Sequence, residues 1–337
     1  MPALALPSAG SFETTKLRLR IVAESAASDD RTRNDRDPTR RTAPTRQEDR
    51  ELIPRSIRER LRYCEIESER LTLDRFPDFL IIGPQRTGTT WLHAILRGHP
   101  EVSLAEPKEL FFFSRLKDRT SPRFESAQLD WYLSHFRDPA ARWIARQARS
   151  LVRLGRPYRP RMRGEATASY AAMDRDLIEE IAALRPGLKV LMMVRHPVDR
   201  AWSHAKKDLA RNRGRRSEEV GEEEWKCFFR DPYQLRCARY EENLANWSAC
   251  FPAANIFVGT FEQVEQQPVE LLRRVTRFLG VSEEARFVDP HLLRSVVNPT
   301  GRSEVPERFR VFLEDLFRNE IEGWRRVCST AATTPQP

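Results

Sequence analysis

The chain has 337 residues, of which 40% are hydrophobic and 32% charged, and its mean hydropathy is −0.62. These values are typical of a globular protein that is long enough to bury a large core. The sequence contains no run of 18 apolar residues, so we expect no membrane-spanning helix. The first residues lack the basic region of a secretory signal, which favours a cytoplasmic location.

Lysine and arginine outnumber aspartate and glutamate by 58 to 49, which gives a net charge of +9. This excess favours anionic partners such as nucleotides, phosphates, acidic glycans, nucleic acids or a membrane surface, without selecting among them. The five cysteines are scattered and show none of the spacings of a zinc site. We therefore expect free thiols in a reducing compartment and no metal.

Four segments of the chain differ in composition. Residues 1–50 carry few large apolar side chains and many alternating charges, which predicts a disordered N-terminal segment. Residues 51–75 have the pattern of a short helical lead-in. A single folded domain is predicted over residues 76–327, followed by a frayed tail over 328–337.

Within the predicted domain, short apolar runs alternate with helical spacing. Three runs are typical of buried parallel strands, namely residues 79–83, Lys189–Val194 and Ile256–Thr260. Each run is followed by a helical pattern, over residues 89–96, from Asp199 onward, and up to Gly280. Strands separated by helices predict an α/β fold, a doubly wound parallel sheet flanked by helices.

The first strand leads into a glycine-containing loop. Gly83 and Gly88 have the G-x-x-x-x-G spacing of a P-loop, but Thr89 stands where a P-loop has lysine. A strand, such a loop and a helix together direct backbone N–H groups at one point, which predicts an anion site. Arg86 lies within the loop and supplies a cation there.

A second motif, residues 194–203, follows the second predicted strand. Because ligands bind at the carboxyl edge of an open α/β sheet, we expect both loops to face one crevice. Arg195 offers a planar fork for a phosphate, and Ser203 offers a hydroxyl on the next helix. Asp199 is interpreted as a local structural residue.

These two segments, GPQRTGTTWL and VRHPVDRAWS, resemble the 5′-phosphosulfate loop and the 3′-phosphate motif of sulfotransferases that use 3′-phosphoadenosine-5′-phosphosulfate (PAPS). Further segments are similar to the heparan-type and bacterial members of that family: KELFFF at 108–113, DWY at 130–132, GEATASY at 164–170 and NPTGR at 298–302. The resemblance covers about residues 76–325 and implies a P-loop-like fold and sulfuryl transfer from PAPS without a metal.

The resemblance also implies roles for individual residues. Glu109 would be the catalytic base, with Glu106 as the alternative base. Arg86 would stabilise the leaving group, helped by Lys108. The cofactor-binding residues would be Arg86, Thr87, Gly88, Thr89 and Thr90 on the 5′ side, and Arg195, Ser203, Tyr240, Thr300, Gly301 and Arg302 on the 3′ side.

Some positions depart from the family pattern. Arg86 stands where many members have lysine, and Leu110, Phe111 and Ala166 also differ. The differences at Leu110, Phe111 and Ala166 concern the acceptor site more than the sulfuryl-transfer step. The arginine-rich segments 131–158 and 142–163 are interpreted equally as the lining of an acceptor cleft or as a surface amphipathic helix. A glycan hydroxyl is the leading acceptor, ahead of a lipid or small-metabolite hydroxyl, and an amine is also compatible.

Two other functions stay open at this point. A P-loop nucleotide kinase shares the fold, but Thr89 replaces the phosphate-binding lysine, and the strand Lys189–Val194 has no evident Walker B acid after it. A non-catalytic nucleic-acid-binding protein would fit the net charge, yet the sequence has no helix-turn-helix, zinc-finger or RRM signature.

Overall fold

The computed structural model describes residues 52–287, 289–294 and 304–333. One sheet of five parallel strands, in the order β2-β3-β1-β4-β5, organises this part of the chain. The strands are β1 (Phe79–Ile82), β2 (Val102–Leu104), β3 (Met162–Ala166), β4 (Lys189–Val194) and β5 (Ile256–Thr260).

The described chain contains fifteen α-helices, and some of them cover the two faces of the sheet. They are α1 (Arg55–Arg58), α2 (Thr89–Arg97), α3 (Phe112–Arg115), α4 (Leu129–Ser134), α5 (Ala140–Leu154), α6 (Arg175–Leu184), α7 (Pro197–Ala205), α8 (Glu222–Arg230), α9 (Pro232–Ala238), α10 (Tyr240–Ser248), α11 (Phe261–Gln266), α12 (Pro268–Leu279), α13 (Pro290–Arg294), α14 (Glu307–Leu316) and α15 (Arg318–Thr333). A π-helical turn, Lys206–Ala210, continues α7.

The central strand β1 shows why these apolar runs form strands. Its side chains alternate between the two faces, so that Leu80 and Ile82 pack in one core cluster and Phe79 and Ile81 in the other. All four residues are buried, because helices cover both faces of a parallel sheet. The strand pairs with β3 on one side and β4 on the other, which places three strand ends side by side at the carboxyl edge.

The doubly wound parallel sheet predicted from the sequence is confirmed. The three predicted strands are β1, β4 and β5, and the helices α2 and α12 follow where the pattern indicated. The strands β2 and β3 were missed. β2 has only three residues, and β3 contains Arg163 and Glu165, so neither carries a continuous apolar run.

The segment before the sheet is held by a buried carboxylate. In the predicted lead-in, α1 is a single turn and residues 59–71 are mostly irregular. The carboxylate of Glu180, on α6, accepts hydrogen bonds from the backbone N–H groups of Arg62, Tyr63 and Cys64 at 2.5, 2.7 and 3.0 Å. At the other end of the domain, α15 extends to Thr333, past the boundary predicted at 327.

Replacing Glu180 with alanine should lower the free energy of unfolding by about 3 kcal/mol, because three backbone donors lose one shared acceptor. Urea unfolding followed by circular dichroism measures this loss. Glu179 is the matched control, since its side chain is half exposed and, among the described residues, forms an ion pair only with Arg175 one turn away. Glu179→Ala should change stability by less than about 0.5 kcal/mol. Equal losses in the two variants would contradict the role of Glu180.

Candidate active site

The loop after β1 is shaped to receive an anion. Gly83 has φ 145°, and a Cβ there would lie 2.5 Å from the carbonyl oxygen of Met193. Gly88 has φ 98° and caps α2 without a side-chain hydrogen bond. The Thr87 hydroxyl is buried and donates to the carbonyl oxygen of Pro84 at 2.9 Å. The first-turn N–H groups of α2, which begins with Thr89 and Thr90, have no side-chain cap, an arrangement that suits a phosphate group.

Three cations from different elements meet beside this loop. The Arg86 Nε donates to the Ser203 hydroxyl at 2.9 Å, which joins the loop to α7. The Arg195 guanidinium donates to the carbonyl oxygen of Arg86 at 3.2 Å and stacks on the ring of Phe261 at 4.0 Å. Lys206, only 8% exposed, begins the π-helical turn after α7. The two sequence motifs therefore form one basic site.

The electrostatics of this basic site favour an anion of high charge. Burial lowers the pKa of Arg86, Arg195 and Lys206. The cations also oppose one another, because Arg195 lowers the pKa of Arg86, and both lower that of Lys206. Nearby acids, including Asp208 and Asp199, compensate in part. A multiply charged ligand would relieve both the desolvation and the mutual repulsion.

Glu109 lies at the same edge of the sheet, next to the end of β3. Its backbone N–H donates to the carbonyl oxygen of Ala166 at 2.9 Å, and its carboxylate accepts from the N–H of Ala168 at 2.9 Å. The Lys108 ammonium contacts the other carboxylate oxygen. These contacts hold the Glu109 carboxylate in one orientation. Because β1 lies between β3 and β4 in the sheet, Glu109, next to β3, and Arg195, after β4, lie on opposite sides of the loop that follows β1. An oriented, partly exposed carboxylate can accept a proton.

Other residues named from the sequence have different surroundings. Tyr240 is buried, and its hydroxyl donates to the carbonyl oxygen of Arg195 at 2.8 Å, so it supports that arginine through the backbone. Asp199 lies 3.8 Å from the ring of His196, which agrees with a local structural role. Thr300, Gly301 and Arg302 lie outside the described residues.

Two residues were missed from the sequence. Lys206 follows Ser203 by three positions, a helical spacing that places both on one face and could have pointed to it. Glu165, in the segment 164–170, is 1% exposed and accepts hydrogen bonds from the hydroxyls of Tyr132 at 2.5 Å and Thr167 at 2.6 Å. Burial raises the pKa of Glu165 from 4.5 to about 7, although these hydrogen bonds oppose the shift.

Because its pKa is raised in the folded state, Glu165 should make stability fall as the pH rises. Its contribution is fully present below pH 4.5 and is lost progressively up to about pH 7. The loss is about 3 kcal/mol, from 1.36 kcal/mol for each pKa unit. Urea unfolding of wild type and Glu165→Gln across this range measures it, since glutamine does not titrate. Parallel pH profiles for the two proteins would contradict the prediction.

An arginine-lined cleft of about 790 Å³ runs along α2, from Thr90 past His93, between α2 and α5. Its described lining includes six arginines but only two carboxylates: Arg97, Arg142, Arg146, Arg149, Arg153, Arg286, Glu106 and Asp289. Glu106, the alternative base, is surrounded by Arg97 at 2.9 Å, Arg146 at 3.5 Å and Arg142 at 3.6 Å. The cleft therefore has a positive excess that suits an anionic molecule.

Comparison with known proteins identifies the family. The sequence model of the sulfotransferase family matches residues 77–285. This chain belongs to the sulfotransferase family, and it is a transferase by that membership.

The described residues include no helix long and apolar enough to cross a membrane, and no group of three His, Cys, Asp or Glu side chains placed to hold a metal ion.

Similar proteins include both curated relatives and solved structures. Human bifunctional heparan sulfate N-deacetylase/N-sulfotransferase 2 is 25% identical over 285 residues, which cover 77% of this chain and 30% of that protein. The N-deacetylase/N-sulfotransferase 1 of Xenopus laevis is 27% identical over 230 residues, covering 66% of this chain and 24% of the relative. A sulfotransferase from Alicyclobacillus acidocaldarius is similar in fold, with 24% identity, a TM-score of 0.50 and coverage of 74% of this chain and 95% of that one.

Proposed function

We propose that this protein transfers the sulfuryl group of PAPS to a hydroxyl or amine of an anionic glycan and releases adenosine 3′,5′-bisphosphate. The observation that carries the proposal is the joining of the two motifs through Arg86, Ser203 and Arg195. PAPS has phosphate groups at both ends of its ribose, and a site that brings one buried and two partly buried cations to an uncapped helix N-terminus matches that charge. Glycine at position 83 also keeps this loop on its tight path, because a Cβ there would lie 2.5 Å from the carbonyl oxygen of Met193.

In this proposal each residue has one task. Bound PAPS would supply an activated sulfuryl group whose phosphate becomes more negative as the bond breaks. Arg86 and the amides of residues 87–90 would offset that charge on the 5′ side, with Lys108 nearby. Arg195, Ser203 and Lys206 would hold the 3′-phosphate. Thr300, Gly301 and Arg302 remain proposed members of the same clamp.

Glu109 would act as the general base. Its carboxylate would take the proton of the acceptor hydroxyl or amine, because the Ala168 N–H and the Lys108 ammonium already orient it. Glu106 is less suited, since its carboxylate is shared among three arginines of the cleft. The chain's own groups thus cover proton removal, charge stabilisation and positioning, as the loose transition state of the related phosphoryl transfer requires.

An anionic glycan is the acceptor that the cleft supports best. Six arginines against two carboxylates would attract carboxylate or sulfate groups, and Thr90 places one end of the cleft at the loop after β1. Relatives named as heparan sulfate N-sulfotransferases support this choice, although the chain spans only about 30% of the length of those it matches. A reducing, cytoplasmic location completes the proposal, since all five cysteines are free thiols in the structure.

Calorimetric binding of adenosine 3′,5′-bisphosphate in EDTA tests the donor site, with Mg²⁺-ATP as the control ligand. Tight binding without metal supports the proposal, whereas a preference for Mg²⁺-ATP would indicate the kinase. Transfer of radioactive sulfate from PAPS to acidic and neutral glycans then tests the acceptor. Salt-sensitive DNA binding that the nucleotide does not affect would instead favour a nucleic-acid-binding protein.

A further inference from the structure

The outer face of α5 is an aliphatic ridge that no described residue covers. We define this ridge as Ile144, Leu151 and Val152, which are 65%, 52% and 86% exposed. Their i, i+7, i+8 spacing puts them on one side of the helix. Together with Trp143 they are four of the seven large hydrophobic side chains that are exposed in the described chain. Exposed apolar residues concentrated on one helix mark an interaction surface.

The arginines of α5 lie on another side of the same helix. Arg142, Arg146, Arg149 and Arg153 repeat at helical spacing and line the cleft. α5 contains these four arginines and no acidic residue. It is therefore basic and strongly amphipathic, with its apolar side facing away from the protein, which is the composition of a helix that lies in the plane of a membrane surface.

Charge around the ridge indicates the kind of partner. Residues 137–163 contain nine arginines and one aspartate, a net +8 within a chain whose net charge is +9. Some of these arginines are paired, for example Arg153 with Asp289 and Arg156 with Glu284. Arg137, Arg149 and Arg159 are exposed and form no ion pair with any described residue. The surroundings of the ridge thus carry positive charge that an external anion would neutralise.

A second copy of the chain fits this surface poorly. Self-association through the ridge would bring two segments of net charge +8 together, and like charges at an interface oppose binding. An anionic bilayer provides both parts of a match, because its acyl region takes aliphatic side chains and its headgroups carry negative charge. Arginine can also bury its aliphatic stem while its guanidinium stays at the headgroups.

We propose that α5 docks this protein onto an anionic phospholipid surface, with the ridge of Ile144, Leu151 and Val152 in the lipid interface and the exposed arginines at the headgroup phosphates. The docking is independent of the proposed function, since it needs neither donor nor acceptor. It would keep the arginine-lined cleft, on the adjoining side of α5, close to the membrane surface.

Flotation of the full chain with lipid vesicles tests the docking. One set of vesicles is phosphatidylcholine alone, and the other is phosphatidylcholine mixed with phosphatidylglycerol. We expect binding to the mixed vesicles at least about tenfold tighter than to the neutral ones, with marked weakening at high salt. Val152→Glu and Ile144→Gln should each weaken binding to the mixed vesicles by about tenfold. Val311→Glu is the matched control, since Val311 is 59% exposed on α14, and it should bind as wild type does.

Each of the following outcomes would overturn the proposal. Failure of wild type to bind the mixed vesicles would remove the lipid partner. Binding that both ridge variants retain would show that arginines alone attract the vesicles. An equal loss of vesicle binding in Val311→Glu would show that an added acidic side chain weakens binding wherever it lies on the surface. A wild-type dimer by light scattering that Val152→Glu converts to monomer would assign the ridge to self-association. Circular dichroism shows whether each variant is folded. If Val152→Glu does not fold, the uncharged variant Ile144→Gln still tests the ridge.

Discussion

Replacing Glu109 with glutamine should lower the rate of sulfuryl transfer by about 10²–10⁴, the usual effect of losing a general base. Glutamine keeps the shape of the side chain and can still accept from the Ala168 N–H, but it cannot take a proton from the acceptor. The affinity for adenosine 3′,5′-bisphosphate should stay within about twofold, since the proposed nucleotide site lies on β1 and β4. The loss should therefore appear in kcat.

Single-turnover transfer and calorimetry on the same preparations measure these two quantities. Glu106→Gln is the matched control, because Glu106 is a nearby carboxylate surrounded by three arginines. We expect this control to change acceptor KM more than kcat, since it frees guanidinium groups in the cleft. Full activity of Glu109→Gln would remove Glu109 from the mechanism. A large loss in kcat for Glu106→Gln alone would assign the base to Glu106.

Replacing Arg195 with alanine should weaken the binding of adenosine 3′,5′-bisphosphate by about 10²–10³. A desolvated cation that pairs with a phosphate contributes several kcal/mol, and each 1.4 kcal/mol is about tenfold in affinity. Arg195 also donates to the carbonyl oxygen of Arg86, so its loss loosens the loop after β1. The transfer rate should fall together with the affinity.

Calorimetry in EDTA measures this loss of affinity. Variants of two neighbouring lysines then test whether the position of a cation matters as well as its charge. Lys206→Met should weaken nucleotide binding by about tenfold, because Lys206 is buried beside Arg86 and Arg195. Lys207→Met, the next position along the same turn, should bind as wild type does. Unchanged affinity in Arg195→Ala would contradict the 3′-phosphate site, and equal effects of the two lysine variants would show that only net charge matters.

The sheet was predictable where a strand is buried on both faces. β1, β4 and β5 are continuous apolar runs because helices cover both sides of them, and such runs are visible in the sequence. β3 was not predictable, since Glu165 is buried through hydrogen bonds with Tyr132 and Thr167 rather than through apolar contact. Pattern alone therefore underestimates strands that carry buried polar groups.

The candidate site was predictable to the same extent. The loop containing Arg86 and the motif containing Arg195 and Ser203 are each local in sequence, so residue types and spacing identify them. The hydrogen bond between Arg86 and Ser203 joins residues 117 positions apart, and no spacing rule predicts it. The surroundings of Glu106 are another example, because its three arginines come from α2 and α5. The two interpretations of α5 do not exclude each other, since its arginines line a cleft while its ridge is exposed, and the binding of an acceptor in that cleft stays a prediction.

The amino-acid sequence alone established the α/β class, the glycine loop, the two motifs that we predict to bind anions and the resemblance to sulfotransferases, because these depend on neighbouring residues and on the burial of short runs. Only the tertiary structure brought Arg86, Arg195 and Lys206 to one point, raised the pKa of Glu165 to about 7 and turned the aliphatic ridge of α5 outward. The physical reason is the same in each case. Charge interactions and burial act over distances of a few ångströms between residues that are far apart in the chain, and only the folded chain brings such residues together.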